Sequence, residues 1–174
     1  MFNIKTVTMH FDPLEDRIIM DCCDKSKKTQ RLWLTKRLLD RLIPSLTDQL
    51  EVNSINKISK ELEQSFAQEN AEKNKPKTET VHLKKNNPSW LVTSIKVAKD
   101  NRKFKLVFID QRNLDNKNNY KSINNAQFIL AISNLRQWLN AFYKIYKKAL
   151  WDTAIFPNWM KDKEQVLKTK ILLN

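Results

Sequence analysis

The chain has 174 residues, a net charge of +13 and no glycine at all. That length suits one compact domain or two small ones, and the missing glycine argues against phosphate-cradling loops and dinucleotide folds, whose backbones approach phosphate at glycine. No apolar run nears the ~20 residues that span a bilayer, and the opening MFNIKTVTMHFD lacks the basic segment and apolar core of a secretory signal, so a cytoplasmic protein with no membrane contact is expected.

Residues 4–11, IKTVTMHF, alternate like a strand, with Val7, Met9 and Phe11 on one face. Asp12-Pro13 suits a turn. RIIMDCC (17–23) places Ile18, Met20 and Cys22 on one side, and DKSKK follows as a polar turn. TQRLWL (29–34) alternates again, with Leu32 and Leu34 inward and Trp33 on the other face. Thr35 is a good N-cap. After it Leu38, Leu39, Leu42, Ile43 and Leu46 form one helical stripe. Pro44 predicts a kink or an early end to that helix. Without glycine, turn positions that need positive φ are expected to fall to Asn and Asp.

Residues 51–87 read as a helix and a polar linker. The helix, 54–73, is capped by Ser54 and carries the narrow apolar stripe Ile55, Ile58, Leu62, Phe66. It would serve either as a connector lying on a sheet or as a partner helix.

Residues 88–148 repeat the opening order. WLVTSIKVA (90–98) is strand-like, and Asp100-Asn101 suits a tight hairpin. KFKLVFI (103–109) sets Phe104, Leu106 and Phe108 against Lys103 and Lys105. An Asn-rich loop follows. QFILAI (127–132) gives a third strand with Phe128, Leu130 and Ile132 on one face. Ser133 is the expected cap of a helix with Leu135, Trp138, Leu139, Phe142 and Tyr146 on its stripe. LWLT and LAIS therefore take equivalent places. The tail, 149–174, suggests a short helix through Val166, Leu167 and Ile171.

The expected fold is α+β: two β-β-β-α units at 1–50 and 88–148, antiparallel meanders each backed by a helix and joined by a helical and polar linker. In topology alone, a sheet backed by a helix resembles the sheet-platform single-strand binders of the Whirly and PUR types, which carry more strands per repeat and whose motifs are absent here.

Catalytic chemistry has little to stand on. His10 and His82 are the only histidines and show no metal-ligand spacing with Cys22 and Cys23. Adjacent strand cysteines point to opposite faces, which disfavours a disulfide between them. No enzyme, metal or cofactor is expected.

The charge is more informative. Residues 1–50 carry net +2, 51–87 +1, 88–148 +9 and 149–174 +1. A bias of base composition toward Lys and Asn would act evenly along the chain, and this charge is concentrated. Lys96, Arg102, Lys103, Lys105, Arg112, Lys117 and Lys121, with Tyr120 among them, surround one hairpin and the following loop. Basic groups with an interspersed aromatic suit nucleic acid, and an ordinary solvated face would carry the same run. The expected function is a non-enzymatic accessory protein that binds nucleic acid, DNA or RNA. The alternative is an adaptor subunit, or a homo-oligomer, that contacts protein through sheet edges and helix 54–73.

Overall fold

The computed structural model describes residues 1–51, 57–83, 86–100, 102–112 and 124–161. The elements in chain order are β1 (Phe2–Ile4), β2 (Thr6–Asp12), β3 (Arg17–Cys23), β4 (Thr29–Thr35), α1 (Lys36–Glu51), α2 (Lys57–Lys73), β5 (Ser89–Leu91), β6 (Ser94–Lys99), β7 (Lys103–Ile109), β8 (Asn125–Ala131), α3 (Ile132–Ala149) and a 3-10 turn at Asn158–Met160. The fold is α+β. The meanders β2-β3-β4 and β6-β7-β8 are antiparallel, and each runs directly into a helix. Among the described residues no helix is long and apolar enough to cross a membrane.

The sequence did not reveal that the repeats exchange a strand. The first sheet has the order β2-β3-β4-β5 and the second β1-β8-β7-β6. β1 precedes the first meander but pairs in parallel with β8; β5 precedes the second meander but pairs in parallel with β4. Each repeat therefore has four strands and lends its first to the other's sheet. The expected strand 90–98 is accordingly two strands, broken at Val92-Thr93. There the Val92 N–H donates to Trp33 in one sheet at 3.0 Å, and the Thr93 N–H to Ile109 in the other at 2.9 Å. The Lys5 N–H donates to Cys23 at 2.8 Å. Lys5 and Thr93 hold equivalent positions, one residue before the first antiparallel pair of each meander.

The helices follow the two meanders in the same order and correct the register expected between them. β4 and β8 each span seven residues, and each passes into a helix at the next residue. Thr35 is thus equivalent to Ala131, not to Ser133. The Leu38 N–H donates to the Thr35 hydroxyl at 3.3 Å, a true N-cap. Ser133 and Ile132 lie inside the first turn of α3 instead. With this register Leu39, Leu42, Ile43, Leu46, Thr47 and Leu50 coincide with Leu135, Trp138, Leu139, Phe142, Tyr143 and Tyr146, and all twelve are buried. The offset between the two stripes disappears.

Pro44 does not end α1, which continues to Glu51. Beyond it Leu46 and Leu50 are buried. Burying a leucine stabilises by about 1.5–3 kcal/mol, so the pair matches or exceeds the roughly 3 kcal/mol that an interior proline costs. The positive-φ positions also differ from expectation. Asp16 conforms, at 48°, but Lys27 and Leu150 adopt 63° and 56°. Lys27 sits in a turn gathered around the Asp24 carboxylate, which accepts from the Ser26 and Lys28 backbones. Leu150 follows α3, where the Trp151 N–H donates to Tyr146 and the Leu150 N–H to Lys147. These two bonds form a helix stop that glycine usually makes.

The described chain forms two compact units, and each draws on both repeats. One comprises Met1–Asp40 and Pro76–Ile132 and holds both sheets; the other comprises Arg41–Lys75 and Ser133–Asn174. In the second unit α2 turns its polar face inward. Gln64, Gln68 and Ala71 are buried, while Leu62 and Phe66 are exposed. Gln64 donates to the Leu50 carbonyl and Gln68 to that of Arg136, while the Arg136 guanidinium donates to the Gln64 side chain and carbonyl. Arg136 also lies over the Trp159 ring at 5.1 Å. Turning α2 over would bury Leu62 and Phe66, worth about 1.5–3 kcal/mol each. It would also break the two hydrogen bonds that the Arg136 guanidinium makes to Gln64, at about 1.5–3 kcal/mol each for a charged donor, and lose the Gln64–Leu50 and Gln68–Arg136 bonds at about 1 kcal/mol each. The polar arrangement wins. Of the expected stripe, Ile55 and the Ile58 side chain lie outside the described residues, as do Ser54 and the tail positions Val166, Leu167 and Ile171.

Two outcomes test this fold. Ile4→Ala should cost about 2–5 kcal/mol in urea denaturation, with the added local amide exchange appearing in β8, the partner of β1. Extra exchange confined to β2 and β3 would contradict the strand exchange. Leu150→Gly should raise stability by about 0.5–1 kcal/mol, since glycine accepts positive φ without the steric penalty of a side chain. A destabilised Leu150→Gly protein would contradict the assigned helix stop.

Candidate nucleic-acid interface

Each sheet has an apolar inner face and a different outer one. In the second sheet Phe104, Leu106, Phe108, Ala126, Phe128 and Leu130 are buried on the inner face. The pairing register then fixes the outer face row by row. Ser94, Ile109 and Asn125 form one row; Lys96, Val107, Gln127 and Asn3 the next; Ala98, Lys105 and Ile129 the third; and Lys103 and Ala131 the last. Residues paired across strands share a face. This face holds three lysines and no carboxylate.

Lys96, Lys103 and Lys105 are all exposed, and none is held in an ion pair with a described residue. Lys103 and Lys105 stand two residues apart on β7, roughly 7 Å. Lys96 lies on the neighbouring strand, beside Val107. Arg102 is exposed at the β6–β7 turn. Its N–H and that of Lys103 both donate to the Asp100 carboxylate at 2.8 Å. Those backbone donors, Arg102 first, hold the Asp100 carboxyl below the usual range. The turn is thereby fixed, and two basic side chains are presented at its end.

Arg112 is placed differently. Its guanidinium grips Asp110 with two bonds, Nε to Oδ1 at 2.9 Å and Nη2 to Oδ2 at 2.7 Å. Asp110 is buried, and Arg112 leaves much of its side chain in solvent. The hydrogen bonds from Arg112 hold the Asp110 carboxyl below its ordinary value. Arg112 thus anchors the exit of β7 and keeps its remaining donors outward. Lys117, Tyr120 and Lys121 lie outside the described residues.

Sequence reasoning missed Ile129, Gln127 and Asn3 on this face. Ile129 is 51% exposed between Lys105 and the edge. The alternation of QFILAI carried that signal, because a face with Phe128 and Leu130 inward must put Ile129 outward. Asn3 had no such signal, since β1 reaches this sheet only through the strand exchange.

The matching face of the first sheet has mixed charge. Its rows are Thr8, Asp21, Arg31, Ser89; His10, Ile19, Trp33, Leu91; Asp12, Arg17, Thr35; and Thr6, Cys23, Thr29. Arg31 binds Asp21 at 2.8 and 3.0 Å and lies over the Trp33 ring at 5.8 Å. Trp33 also donates to Ser89 at 2.8 Å, so it is half-buried and engaged, and Trp90 is buried. The segment before β5 covers one end of this face. The Val81 N–H donates to the Thr8 hydroxyl at 2.8 Å, and Val81 is buried. Thr6, Cys23, Thr29, Glu79 and His82 line the small polar hollow left there. Cys22 and Cys23 point to opposite faces, Cys22 with Val7 and Gln30, Cys23 with Thr6 and Thr29. Burial pushes the Cys22 thiol up, far from the reactive range.

No protein-family model, curated protein or solved structure matches the chain. The chemistry therefore has to be read from its own side chains. Among the described residues no group of three or more His, Cys, Asp or Glu is placed to hold a metal ion. The excess cation is divided between the compact units. Arg136, Lys144 and Lys147 of α3 engage Gln64, Glu72 and the Tyr143 ring. On the second sheet Lys96, Lys103 and Lys105 make no ion pair with a described residue.

The Asp110–Arg112 pair has a pH signature. A carboxyl depressed in the folded state stabilises fully above its unfolded value of about 4, and that contribution is lost as pH falls through the lower folded value. Asp110→Asn should lower the urea midpoint at pH 7 and reduce the further loss on acidification. An equal acid loss in both proteins would show that the pair contributes nothing.

Proposed function

We propose that the protein is a non-enzymatic accessory protein that binds nucleic acid on the outer face of its second sheet. One observation carries this reading: Lys96, Lys103 and Lys105 share a sheet face that bears no carboxylate, while the equivalent face of the first sheet holds Asp12 and Asp21. The two meanders have the same strand order, and of their two outer faces only the second bears no carboxylate among the described residues.

The contact is mainly to phosphate. Lysine is a flexible point charge suited to phosphate oxygens, not a planar fork that reads base edges. Val107, beside Lys96, and Ile129, beside Lys105, offer apolar surface to sugars and base faces. Arg102 extends the positive edge beyond the hairpin. Binding should therefore show little sequence preference and weaken steeply with salt.

Lys103→Glu with Lys105→Glu tests the reading, because both side chains are exposed and their replacement leaves the fold intact. Fluorescence titrations with oligonucleotides at several salt concentrations should show at least tenfold weaker binding at ~50 mM salt and a log–log salt slope reduced by about two units. Lys25→Glu with Lys27→Glu, in the exposed β3–β4 turn, should change binding far less. Equal losses from both pairs would indicate diffuse attraction and not a site. No binding by the parent protein at ~50 mM salt would defeat the proposal.

A further inference from the structure

The polar hollow at one end of the first sheet has pinned backbone on two sides. Its floor is the outer-face row Thr6, Cys23, Thr29. One wall is the β3–β4 turn, which presents Lys27. The Asp24 carboxylate fixes that turn, accepting from the Ser26 and Lys28 N–H groups at 2.8 and 2.9 Å and from the Ser26 hydroxyl at 2.9 Å. The other wall contains Glu79, Thr80 and Val81. Val81 pins it, being buried and donating its N–H to the Thr8 hydroxyl. The hollow has a volume of about 180 Å³. A cavity of about 150 Å³ holds benzene, so a ligand of about six to eight heavy atoms fits here.

Its charges are of both signs and do not meet. Lys27 and Glu79 line the same hollow, both are exposed, and neither makes an ion pair with a described residue. Lys27 also holds φ at 63°, in the left-handed region that a side chain disfavours. Gly, Asn or Asp would sit there at lower cost, so this position keeps a cation against its backbone preference. Hydroxyls share the lining. Thr29 accepts from the Asn87 side chain, which leaves its own hydrogen for a ligand. Thr6 and Thr80 add two more hydroxyls.

We infer that this hollow binds a small zwitterion, a free α-amino acid with a short side chain. Lys27 takes its carboxylate and Glu79 its ammonium group, while the threonine hydroxyls serve either end. Val81 offers apolar contact to its Cβ. A simple anion would set like charge against Glu79, and a simple cation would set like charge against Lys27; a dipolar ligand satisfies both. The inference is independent of the nucleic-acid reading, since the hollow shares no residue with the basic face of the second sheet.

The probe is L-serine, compared with N-acetyl-L-serine, which lacks the ammonium charge, and L-serine methyl ester, which lacks the carboxylate. Amide chemical-shift titration of the full chain should show saturating shifts for L-serine at Lys27, Thr29, Thr80 and Val81. Each analogue should bind at least about tenfold more weakly, through loss of one charge-assisted contact. Lys27→Asn and Glu79→Gln should each weaken L-serine by the same factor. Neither should lower the melting temperature, because both side chains are exposed and Asn tolerates positive φ. Absence of saturating shifts with L-serine would overturn the inference. So would equal binding of either analogue, which would make the hollow an anion or a cation site, or undiminished L-serine binding in either variant.

Discussion

The exchange of β1 and β5 is the constraint on which the rest of this structure depends. A three-stranded meander has two open edges, and open edges invite unwanted pairing. Here each third strand, β4 or β8, has one edge closed by a short parallel strand from the other repeat. The main chain switches sheets within one or two residues, at Lys5 and at Val92-Thr93. Neither sheet is then complete without the other half of the chain. Parallel pairing between residues so far apart in sequence is entropically demanding, and it makes the two halves of the chain mutually dependent, not two linked modules.

The two outer faces share a strand order and differ in chemistry. Asp21 on β3 needs Arg31 beside it, because a buried carboxylate must be paired. At the equivalent place in the second sheet stands Val107, beside Gln127, and no compensating arginine is needed. Lysines on either side remain available for a ligand. The first outer face is partly closed by the segment around Val81 and neutralises itself; the second keeps its charge.

Much of this was legible in the sequence, and the failures have physical causes. Period-two alternation located β4, β7 and β8, because each buries one apolar face, whereas β3 was found as an apolar run and is buried on both faces. The helical stripes of α1 and α3 were legible for the same reason. β1 and β5 were not, since three residues hold no period and their pairing is with distant strands. The cap was misplaced because Ser133 is a better capping residue than Ala131, yet strand length, not cap chemistry, fixes where α3 begins. Pro44 did not end α1, because local propensity was outweighed by burial of Leu46 and Leu50. The stripe of α2 was seen, but its orientation was not. Gln64, Gln68 and Arg136 are polar, and only their mutual hydrogen bonds make the polar side the inner one. On the candidate interface, the hairpin lysines followed from alternation. That Arg112 is tied to Asp110 could not be read from spacing alone.

The central claim is that polyanion binding is local to the outer face of the second sheet. Amide chemical-shift mapping with a short oligonucleotide of uniform sequence, at low salt, tests it most directly. The account expects the largest shifts at Lys96, Arg102, Lys103, Lys105, Val107 and Ile129, with β2, β3 and β4 nearly unchanged. Shifts of equal size on both sheets, or shifts concentrated around Arg17, Arg31 and Trp33, would contradict it.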